Sequence, residues 1–590
     1  MSNRITLQKA RQRCADIIET ALVQEQDSLI DALPGLGKSL GIPKAVARTG
    51  KPVTMLMPRK ELYRQIEQEC QQQGISYRVL PAINRDCPTF TGTHGDRWER
   101  QFRDWTTRGA SANEVHELPK KLHGETPPCE KHGDCPYLDK LDFDPNNYDL
   151  LIGHYTHGYN QDVTSDRTVV IDEFPQQAYL ETFENPAPKV SKFLASTPEV
   201  PFGDFTDLLT NRTNSNYAER ARDWFSERGP QVRRGTDVLQ DSNAHSLAPL
   251  IVYTLLEGED LGNGWEHANL GYQIGSFNRT TQEVNLLNPP VFENAHNIIA
   301  LDGTPSWLMW SAALSYREPL LDHQQVLTDD ERESLISNGQ GLDIIQTTTH
   351  TYPYSGHGNA DTARDRALLE EIEARHNTKP SLITTKKAEE AYRRDGLLTH
   401  VDKHGHYGDL KGSNRFASER LGIVIGSRHF GDDHVERWGS LFGQDTGRTK
   451  TSTSQTYQGW GDHVLRQMRE YEVLQAVMRF GRDKKGATVY VHTNALPDWV
   501  PRKRGEVVRK RSDGEQDVIS ALRNISSGTT NEIASEAGCS AQLTSNHLGQ
   551  LEDEGHVARQ KQGRNTVWSF ASSSNLNENF AVDLKKPQKI

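Results

Sequence analysis

The stretch Ala32-Leu33-Pro34-Gly35-Leu36-Gly37-Lys38-Ser39 decides the fold of the first part of the chain. It has the form A-x-x-x-x-G-K-S and follows an apolar run that predicts a strand. Gly35 and Gly37 let the backbone curl so that its N–H groups, together with the N-terminus of the next helix, bind phosphate. Lys38 would reach the β- and γ-phosphates, and the Ser39 hydroxyl would bind Mg²⁺. The stretch predicts a nucleotide site; the alternative is a glycine-rich turn before an ordinary helix.

A second stretch supplies the carboxylates that such a site needs. Thr168-Val169-Val170-Ile171-Asp172-Glu173 is a β-branched run that ends in two acids. Asp172 would hold Mg²⁺, directly or through water, and Glu173 would orient and polarise the attacking water. Gln12 lies upstream of the phosphate loop, where a glutamine that reads adenine would fit; an inert surface glutamine is the alternative. These residues together predict a site that binds and hydrolyses ATP.

The composition narrows the class of protein. With 590 residues the chain should hold several domains. A net charge of -12, from 68 basic and 80 acidic residues, argues against a nucleic-acid binder that works by bulk charge, but not against a locally basic groove. The N-terminus lacks the apolar core of a signal peptide, and no apolar run approaches the ~18 residues of a membrane span. We therefore expect a soluble cytoplasmic protein without a membrane partner.

Alternation of apolar strands and helices predicts an α/β fold with two parallel-sheet domains, each built from strand–loop–helix units. Two insertions and a C-terminal module complete the predicted organisation. The expected segments are 1–175, first parallel-sheet domain with a cysteine-bearing insertion at 85–145; 176–290, an inserted, mostly helical domain; 291–335, the remainder of the first domain; 336–500, the second domain; 501–514, a basic linker; 515–572, a winged helix-turn-helix; and 573–590, a disordered tail.

The insertion at 85–145 carries three of the six cysteines. Thiolates and imidazole suit zinc or an iron–sulfur centre, so the segment predicts a metal site. The candidate ligands are Cys87, Cys129, His132 and Cys135. Three other histidines leave the fourth ligand open, namely His94, His116 and His123. The spacing matches no standard zinc finger, and scattered free cysteines in a loop are the alternative.

The second α/β unit carries candidate catalytic cations. Gln475, Arg479 and Arg482 stand at i, i+4 and i+7, which would place them on one face of a helix. Two permanent cations in a unit without its own phosphate loop are typical of arginine fingers, which stabilise charge on a γ-phosphate bound elsewhere. A solvated basic face is the alternative.

Small polar residues in two loops are candidates for contact with a nucleic-acid backbone. Thr304 lies in a Gly-Thr-Pro turn after an apolar strand, and Ser413 and Asn414 lie in a loop rich in Gly, Ser and Asn. Plain turns account for these residues equally well.

The region 515–572 has the pattern of a winged helix-turn-helix, with three helices followed by a hairpin around Lys561 and Arg564. Its predicted recognition helix is 541–554, with Leu543, Leu548 and Leu551 facing inward. Modules of this kind bind DNA, and some serve as protein-interaction domains instead. The basic residues of the preceding linker would either touch phosphates or act as a solvated tether.

In their order along the chain, these segments resemble the motifs of superfamily 2 helicases, and among them the XPD-type (DinG-like) DNA helicases. The similar segments are Ala32–Ser39 to motif I, Met57–Leu62 to motif Ia, Val170–Glu173 to motif II, Leu301–Pro305 to motif III, Gly412–Asn414 to motif V and Gln475–Arg482 to motif VI. The resemblance implies two RecA-like domains that close over ATP and Mg²⁺ and move along nucleic acid, in this family DNA with a single-stranded region, in the 5′-to-3′ direction. A non-unwinding DNA translocase and a DNA-binding regulator with an ATPase switch are the alternatives.

The resemblance also covers the two insertions, which lie where XPD-type helicases hold an iron–sulfur cluster and an arch domain. Three features depart from the family pattern. Residues 172–175 read Asp-Glu-Phe-Pro in place of Asp-Glu-Ala-His, Met478 replaces a glycine, and only three cysteines are found where the family uses four. With three cysteines, the cluster would have a histidine ligand, be replaced by zinc or be absent.

Overall fold

The structure is a computed structural model, and it divides the chain into two compact units. The described residues are 5–58, 60–228, 239, 244–315, 321–354, 360–409, 414–450, 455–483, 485–562, 565–571 and 576–589. The phosphate-loop unit comprises Ala10–Val326 and Gly431–Gln467. The second-sheet unit comprises Met1–Lys9, Leu327–Phe430 and Met468–Ile590.

Strands and helices alternate through much of both units. The described strands are β1 (Ser28–Asp31), β2 (Val53–Leu56), β3 (Tyr77–Val79), β4 (Leu150–Gly153), β5 (Thr168–Asp172), β6 (Leu180–Phe183), β7 (Glu259–Asp260), β8 (Trp265–Leu270), β9 (Gln273–Asn278), β10 (Val284–Leu287), β11 (Asn297–Asp302), β12 (Asp322–Gln325), β13 (Leu342–Gln346), β14 (Ser381–Thr384), β15 (His404–His406), β16 (Leu421–Ile425), β17 (Arg448–Lys450), β18 (Gln455–Tyr457), β19 (Ala487–His492), β20 (Lys503–Arg504), β21 (Val508–Lys510), β22 (Ser527–Thr529), β23 (Val557–Gln562), β24 (Asn565–Phe570), β25 (Phe580–Val582) and β26 (Gln588–Lys589).

The described α-helices are Leu7–Gln24, Lys38–Thr49, Lys60–Gln73, Ile83–Asp86, Asp96–Thr107, Glu114–His123, Pro128–His132, Pro136–Leu141, Gln176–Tyr179, Ala187–Ser196, Phe205–Asn211, Ser215–Arg228, Ala248–Leu256, Trp307–Ala313, Asp329–Ser334, Thr362–His376, Lys386–Arg394, Asp432–Leu441, Gly461–Met468, Glu470–Val477, Asp513–Ile525, Thr530–Ala537 and Ala541–Asp553. Short 3₁₀ turns are found at Pro145–Asn147, Tyr155–Tyr159, Gln161–Val163, Leu397–His400 and Tyr407–Asp409, and a π-turn at Leu335–Gly339.

A seven-stranded RecA-like sheet forms the centre of the phosphate-loop unit. Its order is β12-β1-β11-β5-β2-β4-β3, and every neighbouring pair is parallel. The central strands are buried along their whole length, as expected for a parallel sheet covered on both faces. Because β1, β11 and β5 are neighbours, their carboxyl ends meet at one edge, where ligands bind in such sheets.

The second-sheet unit is built around another seven-stranded sheet, in the order β15-β14-β16-β19-β13-β20-β26. All pairs are parallel except β20 with β26, which is antiparallel. The predicted α/β class with two RecA-like parallel sheets is therefore confirmed.

The region 176–290 contains the predicted helices, but it also contains strands that the sequence did not predict. Its helices pack with a five-stranded antiparallel sheet in the order β6-β10-β9-β8-β7. Polar side chains such as Ser276 and Asn285 are buried on these strands, so the alternation of apolar and polar residues that marks a strand is blurred. The hairpin between β8 and β9 turns at Gly271, where φ is 89°, a conformation that favours glycine.

The predicted disordered tail is also wrong for its described part. Phe580–Val582 pairs with β21, and Gln588–Lys589 pairs with β20 at the edge of the second sheet. The preceding basic segment is ordered as well, since Arg509 and Arg511 both form ion pairs with Glu515 and Glu554. The charges of these two arginines are therefore balanced by carboxylates of the protein itself, and the side chain of Arg511 is fully buried.

The C-terminal module has three helices and a three-stranded sheet in the order β22-β24-β23. Its third helix begins after the Ser540 cap, and Leu548 and Leu551 are buried as predicted. Leu543 is 41% exposed, contrary to the prediction, because the buried face passes through Thr544 instead. Lys561 lies on β23, and Arg564 falls outside the described residues.

Across the described part of the chain, no helix is both long enough and apolar enough to span a bilayer.

Candidate nucleotide site

The phosphate loop joins β1 to the helix Lys38–Thr49. Gly35 and Gly37 have φ values of 90° and 84°, which residues with a side chain rarely adopt, so the curl depends on these glycines. Lys38 Nζ donates to the Ala32 carbonyl at 2.9 Å, across the mouth of the loop. Arg11 donates two hydrogen bonds, at 3.1 and 2.9 Å, to the Gly35 carbonyl. The loop is thereby held from both sides before any phosphate is bound.

Ser39 and Asp172 meet directly. The Ser39 hydroxyl donates to Asp172 Oδ2 at 2.7 Å, which joins the loop to the end of β5. A hydroxyl and a carboxylate converging on one point are ligands that Mg²⁺ prefers, so this pair fits the ion. When bound there with ATP, Mg²⁺ would offset the negative charge of the phosphates.

Burial of Asp172, which is 2% exposed, raises the pKa of its carboxyl to about 7. The neighbouring carboxylates of Glu173 and Asp302 raise this pKa further, while the Ser39 hydrogen bond and the Lys38 charge lower it. Near neutral pH the carboxyl of Asp172 is therefore close to the midpoint of its titration.

Glu173 has a backbone conformation that few residues with a side chain adopt, with φ of 66°. Its N–H donates to the Leu301 carbonyl at 2.8 Å, and its carbonyl accepts from the Tyr155 hydroxyl at 2.9 Å. The same hydroxyl donates to the Asp172 carbonyl at 2.6 Å. Among the described residues, the buried Oε2 of Glu173 has no hydrogen-bond partner. The strand end thus holds, on a strained backbone, a carboxylate with an unused acceptor, which suits a base that positions water.

The turn after β11 lies against the phosphate loop. Buried Asp302 accepts from the Thr304 N–H at 3.0 Å and from Trp310 Nε1 at 2.8 Å. A Cβ placed on Gly303 would lie 3.1 Å from the Pro34 ring and 3.5 Å from Lys38 Nζ. A side chain at 303 would therefore crowd the loop, which accounts for glycine at this position.

Phe174 occupies the place where the resemblance leads one to expect alanine. Its ring packs edge-on against Trp310 at 5.4 Å and tilted against Trp438 at 5.8 Å. Because Trp310 also bonds Asp302, an aromatic contact connects the carboxyl ends of β5 and β11.

The other predicted residues differ in their exposure. Gln12 is exposed, and its amide donates to Asp16 on the same helix at 2.8 Å. Thr304 is buried in the turn after β11, Asn414 is exposed, and Ser413 falls outside the described residues.

The predicted helical face of Gln475, Arg479 and Arg482 is wrong. The helix that carries Gln475 ends at Val477, and both arginines lie in the turns that follow, which lead to Gly481 with φ of 61°. Arg479 is 6% exposed, and Arg482 Nε donates to the Met478 carbonyl at 2.7 Å. All three belong to the second-sheet unit, whereas the phosphate loop belongs to the other.

The three cysteines of the 85–145 insertion lie close together, but the histidine beside them is not the predicted His132. Cys87, Cys129 and Cys135 group with His116, and all four are buried. The predicted ligand His132 is exposed at the end of its short helix, and its ring contacts that of His94 at 5.2 Å. His116 was one of the three alternatives that the sequence left open.

Two residues of the candidate nucleotide site were not predicted from the sequence. Arg11 sits on the first helix beside Gln12, and no local pattern marks it. Tyr155 follows β4 directly, so the rule that ligands gather at the carboxyl ends of parallel strands could have singled it out.

Comparisons with known proteins give structural likenesses alone. No protein-family model matches the chain, and no curated protein matches it either. Solved structures described as helicases are among those that match. One described as "XPD_Helicase" is 11% identical, with 82% of this chain and 95% of that chain covered and a TM-score of 0.42. "Structure of S. tokodaii Xpd4" is 10% identical, with 83% and 95% covered and a TM-score of 0.34. A hypothetical ATP-dependent RNA helicase from Sulfolobus tokodaii is 8% identical, with 85% and 98% covered and a TM-score of 0.22. At TM-scores below 0.5, these likenesses decide nothing about the site.

The raised pKa of Asp172 predicts a pH dependence of nucleotide binding. Because the pKa is raised to about 7, the neutral carboxyl predominates below that pH, and Mg²⁺ requires the ionised form. We expect the Kd for Mg²⁺–ATP to rise up to about tenfold for each pH unit below 7. Without ligand, the stability contributed by this group is present below its unfolded pKa and is lost as the pH rises through 7.

Titration calorimetry between about pH 6 and pH 8 measures this effect. The control is Asp172→Asn, which shares the titration of ATP itself but lacks the carboxyl, and its Kd should vary less with pH. Equal pH dependence in the two proteins would contradict the assignment.

Proposed function

We propose that the protein is an ATP-dependent nucleic-acid helicase or translocase that acts on DNA with a single-stranded region. The observation that carries this proposal is the hydrogen bond between Ser39 and Asp172, with Glu173 beside it on a strained backbone. Phosphate loop, metal-binding acid and candidate base converge at one sheet edge, which is the arrangement that ATP hydrolysis requires.

In the proposed reaction each residue has a separate task. Lys38 would bind the β- and γ-phosphates, and Ser39 and Asp172, which are hydrogen-bonded to each other, would hold Mg²⁺. Glu173 accepts a hydrogen bond from the attacking water and orients it toward the γ-phosphate. The backbone bonds that fix Glu173 keep its carboxylate in place, so little reorganisation is needed during the reaction.

Coupling to strand movement requires the second RecA-like sheet. We assign Arg479 and Arg482 as the cations that stabilise charge on the γ-phosphate, together with Gln475. Thr304, Ser413 and Asn414 are assigned to the nucleic-acid backbone. Gln12 is assigned to adenine, and its surface position on the helix beside Arg11 leaves its amide accessible.

The C-terminal module gives little support to the alternative of a DNA-binding regulator. Its third helix, Ala541–Asp553, would enter the major groove in such a module, and it carries neither Lys nor Arg. Phosphate contacts by this helix would therefore depend on neutral side chains alone.

The test is ATP hydrolysis with and without single-stranded DNA, together with displacement of a labelled strand from a partial duplex. We expect DNA to stimulate hydrolysis in the natural protein and Lys38→Ala to remove it, because the ammonium that binds the phosphates is lost. The matched control is Lys51→Ala, since Lys51 is a surface residue that pairs with Glu25.

The outcomes separate the candidate functions. Stimulated hydrolysis that persists in Lys38→Ala would contradict the assigned site. Hydrolysis without strand displacement would identify a translocase that does not unwind. Hydrolysis that DNA leaves unchanged would overturn the motor and favour the regulator. Repeating the assay with RNA determines the nucleic-acid preference.

A further inference from the structure

Four side chains of the 85–145 insertion meet in a compact, buried group, here called the Cys₃His site: Cys87, His116, Cys129 and Cys135. One ligand atom from each lies within 4.8 Å of all the others. Cys87 Sγ is 3.8 Å from Cys129 Sγ. His116 Nε2 is 3.4 Å from Cys87 Sγ and 3.6 Å from Cys135 Sγ.

These distances are those of ligands around one tetrahedral ion. With Zn–S of about 2.3 Å and Zn–N of about 2.0 Å, tetrahedral geometry sets S···S near about 3.8 Å and S···N near about 3.6 Å. The observed separations agree with both values to within about 0.2 Å, the tolerance expected of a metal site.

The same distances do not fit a four-iron cluster. In such a cluster each thiolate binds a separate iron and the inorganic core lies between them, which spreads the ligand atoms to roughly 6 Å or more apart. A set confined within 4.8 Å leaves no room for that core. The cluster expected from the resemblance is therefore at odds with the residues present.

We propose that the Cys₃His site binds a single zinc ion, in place of an iron–sulfur cluster. Three thiolates and one imidazole in a tetrahedron form a closed ligand set of the type found in structural zinc sites. All four ligand residues are buried, so no open position remains for water or substrate. The ion would be structural.

The surroundings of His116 support this assignment. Its Nδ1 donates to the Ala112 carbonyl at 2.9 Å, so the tautomer leaves Nε2 free to bind the ion. The ring stacks on Tyr137 at 5.4 Å with an interplanar angle of 9° and meets Phe102 edge-on. The imidazole is thereby oriented by one hydrogen bond and by two aromatic contacts.

The ligands come from four separate short segments, which indicates what the ion would do. Cys87 follows the helix Ile83–Asp86, and His116 lies within Glu114–His123. Cys129 lies in Pro128–His132, and Cys135 caps the next helix. These helices share a small apolar core with the cysteines, so one ion would join segments that bury little surface by themselves.

The first test is the metal content of the full-length protein, purified without oxygen from cells supplied with both iron and zinc. We expect about one zinc per chain, no acid-labile sulfide and no visible absorption from an iron–sulfur cluster. About four irons with sulfide, one iron without zinc, or no metal would each overturn the proposal.

The second test identifies the ligands through two histidine variants. His116→Cys should retain about one zinc, because four thiolates also form a tetrahedral site, whereas His116→Ala should lose zinc to a chelator at least about tenfold faster. The control His132→Ala should behave like the natural protein. Zinc loss from His132→Ala equal to that from His116→Ala, or no change in either, would show that the ligand set is wrong, and neither result depends on ATP hydrolysis.

Discussion

Glu173→Gln is expected to lower the rate of ATP hydrolysis by about 10²-fold or more while leaving ATP binding nearly unchanged. The amide is close to the carboxylate in size, so the left-handed backbone and its two hydrogen bonds should persist. What is lost is the negative acceptor that orients water, since Oε2 is the buried oxygen without a partner among the described residues. Single-turnover hydrolysis and the Kd of a fluorescent ATP analogue measure the two effects separately.

The matched control is Glu184→Gln, which makes the same change at an exposed position of the same unit. It should hydrolyse ATP within about twofold of the natural rate. If Glu173→Gln also stayed within that margin, the attacking water would have to be positioned by another group. A rise in the Kd for ATP equal to the fall in rate would instead assign Glu173 to binding.

Arg167→Met is expected to destabilise the phosphate-loop unit by about 3–5 kcal/mol. The guanidinium of Arg167 is buried, and it donates to the Thr54 hydroxyl at 3.1 Å. It also donates to four backbone carbonyls at 2.9 to 3.2 Å, those of Val53, Pro145, Tyr148 and Asp149. Burial lowers the pKa of Arg167 to about 10, so the side chain remains charged at neutral pH. Methionine fills similar space but removes every guanidinium donor, although the Pro145 and Asp149 carbonyls keep a backbone donor, from the Tyr148 and Val53 N–H groups.

Hydrogen exchange of the backbone amides in β2 and β4 measures this loss within one unit of the chain. The control is Arg103→Met, where the arginine is exposed and pairs with Glu99 one turn away, and the change should be within about 0.5 kcal/mol. The loss of stability in Arg167→Lys should lie between the losses in Arg103→Met and Arg167→Met, because an ammonium has fewer donors than a guanidinium. Unchanged exchange in Arg167→Met would show that water replaces the guanidinium.

The residues of the candidate nucleotide site were predictable because they are close together in two short stretches of the sequence. Gly35, Gly37, Lys38 and Ser39 lie within one turn, and the acids at 172 and 173 follow the apolar residues 169–171 of β5. Hydrophobic periodicity and loop composition are enough to recognise such segments. The strained φ of Glu173 and the hydrogen bond from Arg11 could not be predicted from the sequence, because both depend on contacts between segments that are distant in the chain.

The choice between His116 and His132 shows the limit of sequence spacing. His132 lies between Cys129 and Cys135 in the chain, which made it the natural choice by proximity. The ligand is set by how four short helices pack, and that packing brings in a residue 13 positions before Cys129. The end of the helix at Val477 was not predicted for a similar reason. The turns that lead to Gly481 interrupt a helix that the spacing of Gln475, Arg479 and Arg482 would continue.

The segment Gly431–Gln467 belongs to the phosphate-loop unit, although it lies between two strands of the other sheet in the chain. Its contacts with the five-stranded sheet include hydrogen bonds from Trp265 to Glu436 at 3.1 Å and from Arg437 to Glu283 at 2.9 and 3.1 Å, and a contact of the His267 ring with the Ser440 carbonyl at 2.9 Å.

This arrangement has a kinetic consequence during synthesis. The first unit cannot be completed as its own residues leave the ribosome, because its last segment is made more than 100 residues after Val326. Domains ordinarily fold one after another from the N-terminus. Here the first unit stays incomplete while strands of the second sheet emerge. During that time Trp265 and the aromatic partners of Trp438 lack the contacts that residues 431–467 make with them. Nascent chains stalled before residue 431 should therefore bind chaperones more strongly than those stalled after residue 467 has emerged.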